Sequence, residues 1–300
     1  MRATSSPATR ALCAFAALFV VLLSRPAGAG GASDDPYAKQ LQAKVATVVA
    51  VKAVLKASGG GGDREFNVET IGVVVDPSGV VMMQNWFGGQ RGSGKVTPVS
   101  IRILFDGDEK EYDAILGAMD SKLGLAFVKV KDLAGKKIAS VDFSDGAETS
   151  LGDEVFGVYR MEEGFDYAPY YFTGKLVGQV TKPRTMWFCT AASAQYVGHP
   201  MYTPEGKVAG VVIRQSGNSE ESRISRVFLL PVKSVVGVVG QAIKASAKAL
   251  EDSKAQEADA GMGEPAAMGD AGGMETPPPG MGQEPAPGMG DTPPGMEGGK

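Results

Sequence analysis

The stretch Ile71–Met83 reads IGVVVDPSGVVMM and predicts a β-hairpin. Two runs of apolar and mostly β-branched residues, Ile71–Val75 and Val80–Met83, lie on either side of the turn sequence DPSG. Proline presets φ for the second position of a turn, and glycine accepts the positive φ that closes it. We therefore expect two strands joined by this turn.

Similar short runs recur along the middle of the chain, and glycine-containing turns separate them. Such a series predicts an all-β fold, either closed antiparallel barrels or a sandwich. A helical turn is expected near residues 37–42 and a longer helix over Ser234–Ala249, whose apolar face contains Val235, Val239 and Ile243. The further predicted strands are Val45–Val54, Val99–Phe105, Tyr112–Met119, Leu125–Lys129, Glu154–Tyr159, Phe172–Val180, Thr185–Thr190, Val208–Ile213 and Arg226–Leu230.

Residues 1–29 have the pattern of a secretory signal peptide. Arg2 and Arg10 form a basic region, Ala11–Leu23 is apolar, and small residues end the segment, so cleavage is expected between Ala29 and Gly30. The apolar run is shorter than the roughly 20 residues that cross a bilayer. The sequence thus predicts an exported mature chain, periplasmic or extracellular and without a membrane span; an uncleaved anchor is the alternative.

The charge distribution gives no basis for nucleic-acid binding. Residues 30–255 contain 26 basic and 26 acidic residues, whereas residues 256–300 contain 8 acidic residues and one lysine. The same final segment holds 8 Pro, 12 Gly and 6 Met in 45 positions, and we expect disorder from residue 251 to residue 300. Thioethers bind Cu(I), but these methionines are widely spaced, so no metal site and no cofactor are predicted.

The mature chain would contain a single cysteine and a single histidine, Cys189 and His199. No intramolecular disulfide is then possible, and Cys189 is expected to be a buried thiol within a strand. A serine or cysteine nucleophile needs a base within hydrogen-bond reach, and a histidine base could only be His199.

The order of the motifs resembles the protease domain of the Do-like, HtrA-type serine proteases, from about residue 37 to residue 245. The resemblance implies two antiparallel Greek-key β-barrels of the trypsin-like fold: a lead-in at 30–36, an N-terminal barrel at 37–140, a C-terminal barrel at 141–232 and a terminal helix at 233–250. We expect no PDZ domain after this helix. The matching segments are the hairpin Ile71–Gly79; Asp106–Gly107 with Glu111–Ala114, like "DG…YxA"; Asp120–Ala126, like "DPxxDLA"; Leu151–Val155, like "VGDxV"; Gly174–Gly178, like "SGIVS"; Gly198–Met201 with Gly206–Val211, like "GGPL…GxVIGI"; and Phe228–Pro231, like "FAIP".

The departures from the family pattern occur at the positions of the catalytic residues. Trp86 stands where the family has the histidine of "TNNHVV", Gly124 where it has the aspartate of "DLA", and Val197 where it has the serine of "GNSGGP". None of these three residues can act as base, orienting acid or nucleophile. Gln195 replaces the glycine that, in the family, helps to form the oxyanion hole.

The sequence therefore predicts a catalytically inactive serine-protease homologue, a pseudoprotease, that binds a peptide or protein partner. Its binding cleft is expected to contain Trp86, Phe87, Gln195, Tyr196 and His199, unless the aromatic residues plug the former site. Two alternatives remain open: a residual serine endopeptidase that uses Ser193 and His199, and an envelope structural protein assembled through its tail. The sequence does not indicate an oligomeric state.

Overall fold

The computed structural model describes residues 35–59, 62–87, 95–216 and 225–261. The predicted signal peptide, with Ala29 and Gly30, and the tail from residue 262 onward lie outside the described residues. The helices are α1 (Pro36–Lys44) and α2 (Val232–Gly261), with 3₁₀ turns at Val45–Thr47, Glu163–Phe165 and Ala194–Tyr196. The strands are β1 (Val48–Gly59), β2 (Gly62–Asp76), β3 (Val80–Gln84), β4 (Lys95–Leu104), β5 (Glu111–Asp120), β6 (Leu125–Val130), β7 (Glu154–Arg160), β8 (Pro169–Val180), β9 (Met186–Cys189), β10 (Pro200–Tyr202), β11 (Val208–Ser216) and β12 (Ser225–Pro231).

The strands form two closed, six-stranded antiparallel barrels. The order around the N-terminal barrel is β1-β2-β3-β6-β5-β4, and the order around the C-terminal barrel is β10-β11-β12-β9-β8-β7. The predicted all-β fold of two barrels and a C-terminal helix is confirmed. The short strand β10 was not predicted, because three residues after a proline give too little periodicity to recognise.

The part of this hairpin from Ile71 to Met83 is apolar at almost every position outside its turn, because both of its faces are buried. Ile71, Val73 and Val75 belong to the core shared with the C-terminal barrel, whereas Val74 and Val81 point into the N-terminal barrel. Successive side chains of a strand point to opposite faces, so a strand between two cores has no polar positions to alternate with. This hairpin is thus the wall that the two barrels share.

Helix α2 is longer than predicted, and this corrects the expectation of disorder from residue 251. The helix continues to Gly261, and its last turns contact the N-terminal barrel through an ion pair of 2.7 Å between Glu257 and Lys131. Residues 251–260 include neither glycine nor proline, and Lys248 pairs with Asp252 one turn further on at 3.0 Å. Glycine at residue 261 is the first signal that ends a helix.

Candidate functional site

Three backbone segments meet between the barrels: the end of β3, the turn before β6, and the loop between β9 and β10. The N–H of Asn85 donates to the carbonyl of Gly124 at 2.9 Å, which joins the first two segments. Gly198, in the third, packs against β3 so closely that a Cβ built there would lie 2.7 Å from the carbonyl carbon of Met83. The structure therefore brings together the segments that carry Trp86, Gly124 and Val197.

The side chains at these three positions offer no group for acyl transfer. Trp86 is half-buried, and its indole N–H is a donor only. Gly124 has φ +69°, and a Cβ there would lie 3.1 Å from Cβ of Arg214. Val197 is 1% exposed, with its side chain in the core. Nucleophilic catalysis of the trypsin type needs a hydroxyl, an imidazole and a carboxylate here, and this chain has none of them at these positions.

The backbone around Val197 forms a tight turn, and its N–H groups donate to backbone carbonyls of the protein. The N–H of Tyr196 donates to the carbonyl of Ser193 at 3.1 Å, and that of Val197 is directed to the carbonyl of Ala194 at 3.5 Å. The N–H of Gly198 donates to the carbonyl of Val212 at 2.8 Å. An oxyanion hole needs N–H groups that point at the reacting oxygen, so the N–H of Val197 is turned away from that role.

His199 is fully buried and held as a neutral ring. Its Nε2 lies 3.1 Å from the carbonyl oxygen of Ile71, and because a carbonyl only accepts, Nε2 carries the proton. The ring of Tyr159 packs edge-on against it at 4.6 Å between centroids. Burial lowers the pKa of His199 to about 4, which the hydrogen bond to Ile71 only partly opposes. His199 is thus a structural side chain at neutral pH.

The structure does not join Ser193 to His199, so the dyad considered as an alternative lacks its hydrogen bond. Nε2 of His199 is bound to Ile71, and Nδ1 is buried without a hydrogen-bond partner among the described residues. Ser193 is half-buried and begins the 3₁₀ turn Ala194–Tyr196. A general base must accept the proton of its nucleophile, and neither ring nitrogen has a hydrogen bond to Ser193.

A cavity of about 380 Å³ opens between two of these segments, the end of β3 and the loop that joins β9 to β10. Two of the predicted binding residues, Trp86 and Gln195, line it. The other lining residues come from both barrels: Glu69, Thr70, Ile71, Gln84, Tyr159, Arg160, Glu162, Ala194 and Arg214.

Phe87, Tyr196 and His199 do not line this cavity, which corrects their assignment to the binding cleft. Phe87 is 4% exposed and belongs to the core of the N-terminal barrel. Tyr196 stacks on Phe172 with 3.8 Å between ring centroids, and His199 is enclosed as described above. Aromatic side chains gain more from full burial than from exposure at a cleft, and the sequence alone did not show which of them the core could take.

Gln84, Tyr159 and Arg214 line the cavity and were missed by the sequence predictions. Arg214 follows the apolar run of β11, and its N–H donates to the carbonyl of Leu123 at 3.0 Å, which holds this strand against the N-terminal barrel. Burial raises the pKa of Tyr159 to about 12, so its hydroxyl stays neutral. A charged residue directly after an apolar strand was the available signal for Arg214.

The part of the chain that the structure describes offers few other groups that could bind a metal or act as a nucleophile. No group of three or more His, Cys, Asp or Glu side chains there is placed to hold a metal ion. Cys189 is buried, as expected, and burial raises the pKa of its thiol, which keeps it protonated and unreactive. Among the described helices, none has the length and apolarity to cross a membrane.

Two six-stranded antiparallel barrels that share a wall, with a cleft between them and a C-terminal helix, define the trypsin-type double-barrel fold. Similar solved structures include the MamO protease domain from Magnetospirillum magneticum in its apo form, at 19% identity and a TM-score of 0.44, over 65% of this chain and 96% of that one. Another is the HtrA-type protease AlgW with a decapeptide, in a serine-to-alanine variant, at 16% identity and a TM-score of 0.49, over 69% of this chain and 67% of that one. The fold assignment rests on the strand order itself. No protein-family model matches the chain, and no curated protein does.

Proposed function

We propose that this protein is an exported trypsin-fold module without protease-type catalysis, which binds an extended peptide segment of a partner protein between its barrels. The observation that carries the proposal is the composition of the cleft. Its cavity of about 380 Å³ lies between the end of β3 and the loop that joins β9 to β10, and Gln84, Trp86, Gln195 and Arg214 line it. These side chains can bind a peptide, but none can form an acyl intermediate.

More than one residue excludes protease-type catalysis in this proposal. The three positions that resemble a catalytic triad hold Trp86, Gly124 and Val197. The one imidazole of the chain, that of His199, donates to a backbone carbonyl inside the core. Restoring activity would therefore require at least a nucleophile, a base and a reoriented backbone N–H at Val197.

The residues that line the cavity have side chains suited to binding a peptide. An indole face such as that of Trp86 provides a large apolar contact, and the side-chain amides of Gln84 and Gln195 can pair with the N–H and C=O groups of a peptide backbone. Arg214 adds a guanidinium that suits carbonyl or carboxylate oxygens. A mostly apolar concavity with a few convergent polar groups is typical of ligand sites, whose volumes run from about 300 to 1,000 Å³. Export is supported by the signal-like pattern of residues 1–29.

Replacement of Trp86 tests the binding site. A peptide is first selected on the mature protein from a displayed library of linear 12-residue sequences. We expect Trp86→Ala to weaken binding of that peptide about 30-fold, because buried aromatic anchors contribute about 2 kcal/mol or more at such interfaces. Titration calorimetry measures the change, with Phe165→Ala as the matched control, since Phe165 is 57% exposed and does not line the cavity. Equal affinities of the Trp86→Ala variant and the parent protein would reject this site.

Labelling with a fluorophosphonate probe tests the absence of catalysis on the same preparation. We expect no labelled serine under conditions in which active trypsin is fully labelled. Stoichiometric labelling of Ser193 would instead establish a hydrolase. A chain that ends at Gly261 keeps helix α2, so a change in peptide affinity on this truncation would assign part of the binding to the tail.

A further inference from the structure

Strand β2 has an unpaired edge that leads into the cleft. It pairs with β1 from Gly59↔Gly62 to Val48↔Val73. Its pairing with β3 begins only at Val73↔Met82. Among the described residues, nothing pairs with the other side of β2 from Gly62 to Gly72. Glu69, Thr70 and Ile71, at the end of this edge, line the cavity beside Trp86.

The backbone groups that face outward on this edge follow from two hydrogen bonds. The carbonyl of Ile71 accepts from His199, which does not belong to β1, so this carbonyl points away from β1. The carbonyl of Val48 on β1 accepts from Nε of Arg160 at 3.0 Å, so it points away from β2. Val73 is the cross-strand neighbour of Val48, and its carbonyl correspondingly points away from β1. Outward-facing groups recur every second residue in an antiparallel strand. The open N–H and C=O groups therefore belong to Asp63, Glu65, Asn67 and Glu69.

This edge lacks three of the features that usually prevent strand addition. Natural proteins protect free edges with proline, bulges or charged side chains, most often lysine. The first part of β4, on the opposite side of β1, has two of these protections: Pro98, which has no N–H, and a bulge between Val54 and Leu55 in its pairing with β1. Residues 62–72 contain no proline and no lysine, and their pairing with β1 has an unbroken register.

The side chains along the edge carry negative charge. Asp63, Glu65 and Glu69 are exposed and lie on one face of β2, because they are two or four residues apart. Lys56 pairs with Asp63 at 2.6 Å, while no ion pair within the described ranges includes Glu65 or Glu69. On the other face, Phe66 and Val68 are half-buried against the core of the N-terminal barrel.

We propose that the edge Asp63–Glu69 binds an extended segment of a partner protein as an added β-strand, and that this segment has basic side chains at alternate positions. The inference rests on the proposed function, since the same segment would continue from this edge into the cleft at Trp86. At about 3.3 Å per residue, the edge matches a segment of about seven residues. Main-chain hydrogen bonds would supply affinity, and the acidic face would select the basic partner.

A second copy of this chain is a poor occupant of the edge. Antiparallel pairing across a twofold axis places residues of the same parity opposite each other, so Glu69 would face Asp63 or Glu65 in the central registers. Like charges directly opposite each other destabilise a sheet. The acidic face therefore disfavours self-association and favours a basic strand.

The test uses a fluorescent heptapeptide of alternating arginine and valine, RVRVRVR, with blocked ends. Two further versions carry N-methyl groups, one on every arginine and the other on every valine. Since only alternate N–H groups of an added strand point at β2, one methylated version should lose at least 10-fold in affinity and the other should bind like the parent. Fluorescence anisotropy measures the three affinities, and the acidic peptide EVEVEVE should bind at least 10-fold more weakly than RVRVRVR.

Charge reversal on the protein supplies the second measurement. The double variant Glu65→Lys and Glu69→Lys should reverse the preference between the basic and acidic peptides, whereas Glu109→Lys with Glu251→Lys, at exposed positions elsewhere, should leave it unchanged. Equal binding of both methylated peptides would overturn the strand addition. Absence of RVRVRVR binding, together with Trp86-dependent binding of the displayed peptide, would overturn this inference alone. Absence of both would overturn the proposed function as well.

Discussion

Among single residues, His199 holds the loop between β9 and β10 against β2. Its ring donates to Ile71 on β2, while the preceding Gly198 lies against the backbone of Met83 on β3. The loop between β9 and β10 is thus inserted where β2 and β3 stop pairing, just beyond Val73 and Met82. A neutral imidazole supports this position because it satisfies an otherwise unpaired carbonyl without placing a charge in the core.

The acid sensitivity of folding should report the burial of His199. The pKa of His199 is about 4 in the folded chain and about 6.5 in the unfolded chain, so the unfolded state takes up the proton first as the pH falls. Stability should be full above about pH 6.5 and should decrease towards pH 4, by an amount on the order of 3 kcal/mol from this residue. Urea unfolding at a series of pH values measures the effect.

The variant His199→Gln gives the reference for this measurement, because glutamine can also donate to Ile71 and does not titrate. The difference between the two pH profiles isolates the imidazole from the carboxylates that titrate in the same range. Since the chain has one histidine, its ring resonance in a proton NMR spectrum is unambiguous. A midpoint near pH 6.5 for that resonance in the folded protein would contradict the buried, hydrogen-bonded ring.

Among the secondary-structure elements, helix α2 is held against the N-terminal barrel by a close contact between a serine of the helix and a glycine of the barrel. Gly117 on β5 lies beneath the fully buried Ser246 of α2, and a Cβ built on Gly117 would lie 2.6 Å from Cβ of Ser246. That contact includes Cα of Ser246, at 2.9 Å, so rotation of the serine side chain cannot relieve it. The helix reaches the barrel only because residue 117 is glycine.

Gly117→Ala should therefore destabilise the protein by about 1–3 kcal/mol, the usual cost of overpacking a tight contact. Gly237→Ala on the exposed face of α2 is the matched control, since a Cβ there meets nothing within 4 Å. This second variant should be stabilised by up to about 1 kcal/mol through higher helix propensity. The free energy of unfolding in urea measures both, and a neutral result for Gly117→Ala would show that the helix packs elsewhere.

Most elements could be predicted from the sequence, whereas most of the cleft lining could not. The hairpin Ile71–Met83 was evident because its turn and its apolar runs are local signals, and the helix after Pro231 was evident from its apolar face. The cleft depends on contacts between distant segments, such as that between Gly198 and Met83. The resemblance to the protease family therefore located Trp86 and Gln195, but local patterns could not separate them from the buried Tyr196.

At the scale of the whole molecule, Arg160 connects the two barrels. This residue belongs to β7 of the C-terminal barrel and is largely buried. Its guanidinium donates to the carbonyls of Val48 at 3.0 Å and Val45 at 3.2 Å, and it pairs with Asp106 of the N-terminal barrel at 2.5 Å. It also donates to the carbonyl of Tyr167 at 3.1 Å, in the turn after β7. The planar guanidinium can donate to several fixed acceptors at once, and a lysine ammonium could not make the same set of hydrogen bonds.

Replacement of Arg160 should show how much this bridge stabilises the arrangement of the barrels. Arg160→Met keeps an apolar stem but removes every donor, so the carbonyls of Val45 and Val48 and the carboxylate of Asp106 lose their partner. We expect a loss of about 2–4 kcal/mol in the free energy of unfolding, because the two carbonyls lose a charged donor. The carboxylate of Asp106, which is 40% exposed, can be hydrated instead. Lys233→Ala is the control: its ion pair with Glu148 is exposed on both sides, so no measurable change is expected. A loss below about 1 kcal/mol for Arg160→Met would mean that the shared apolar wall, and not this guanidinium, holds the barrels together.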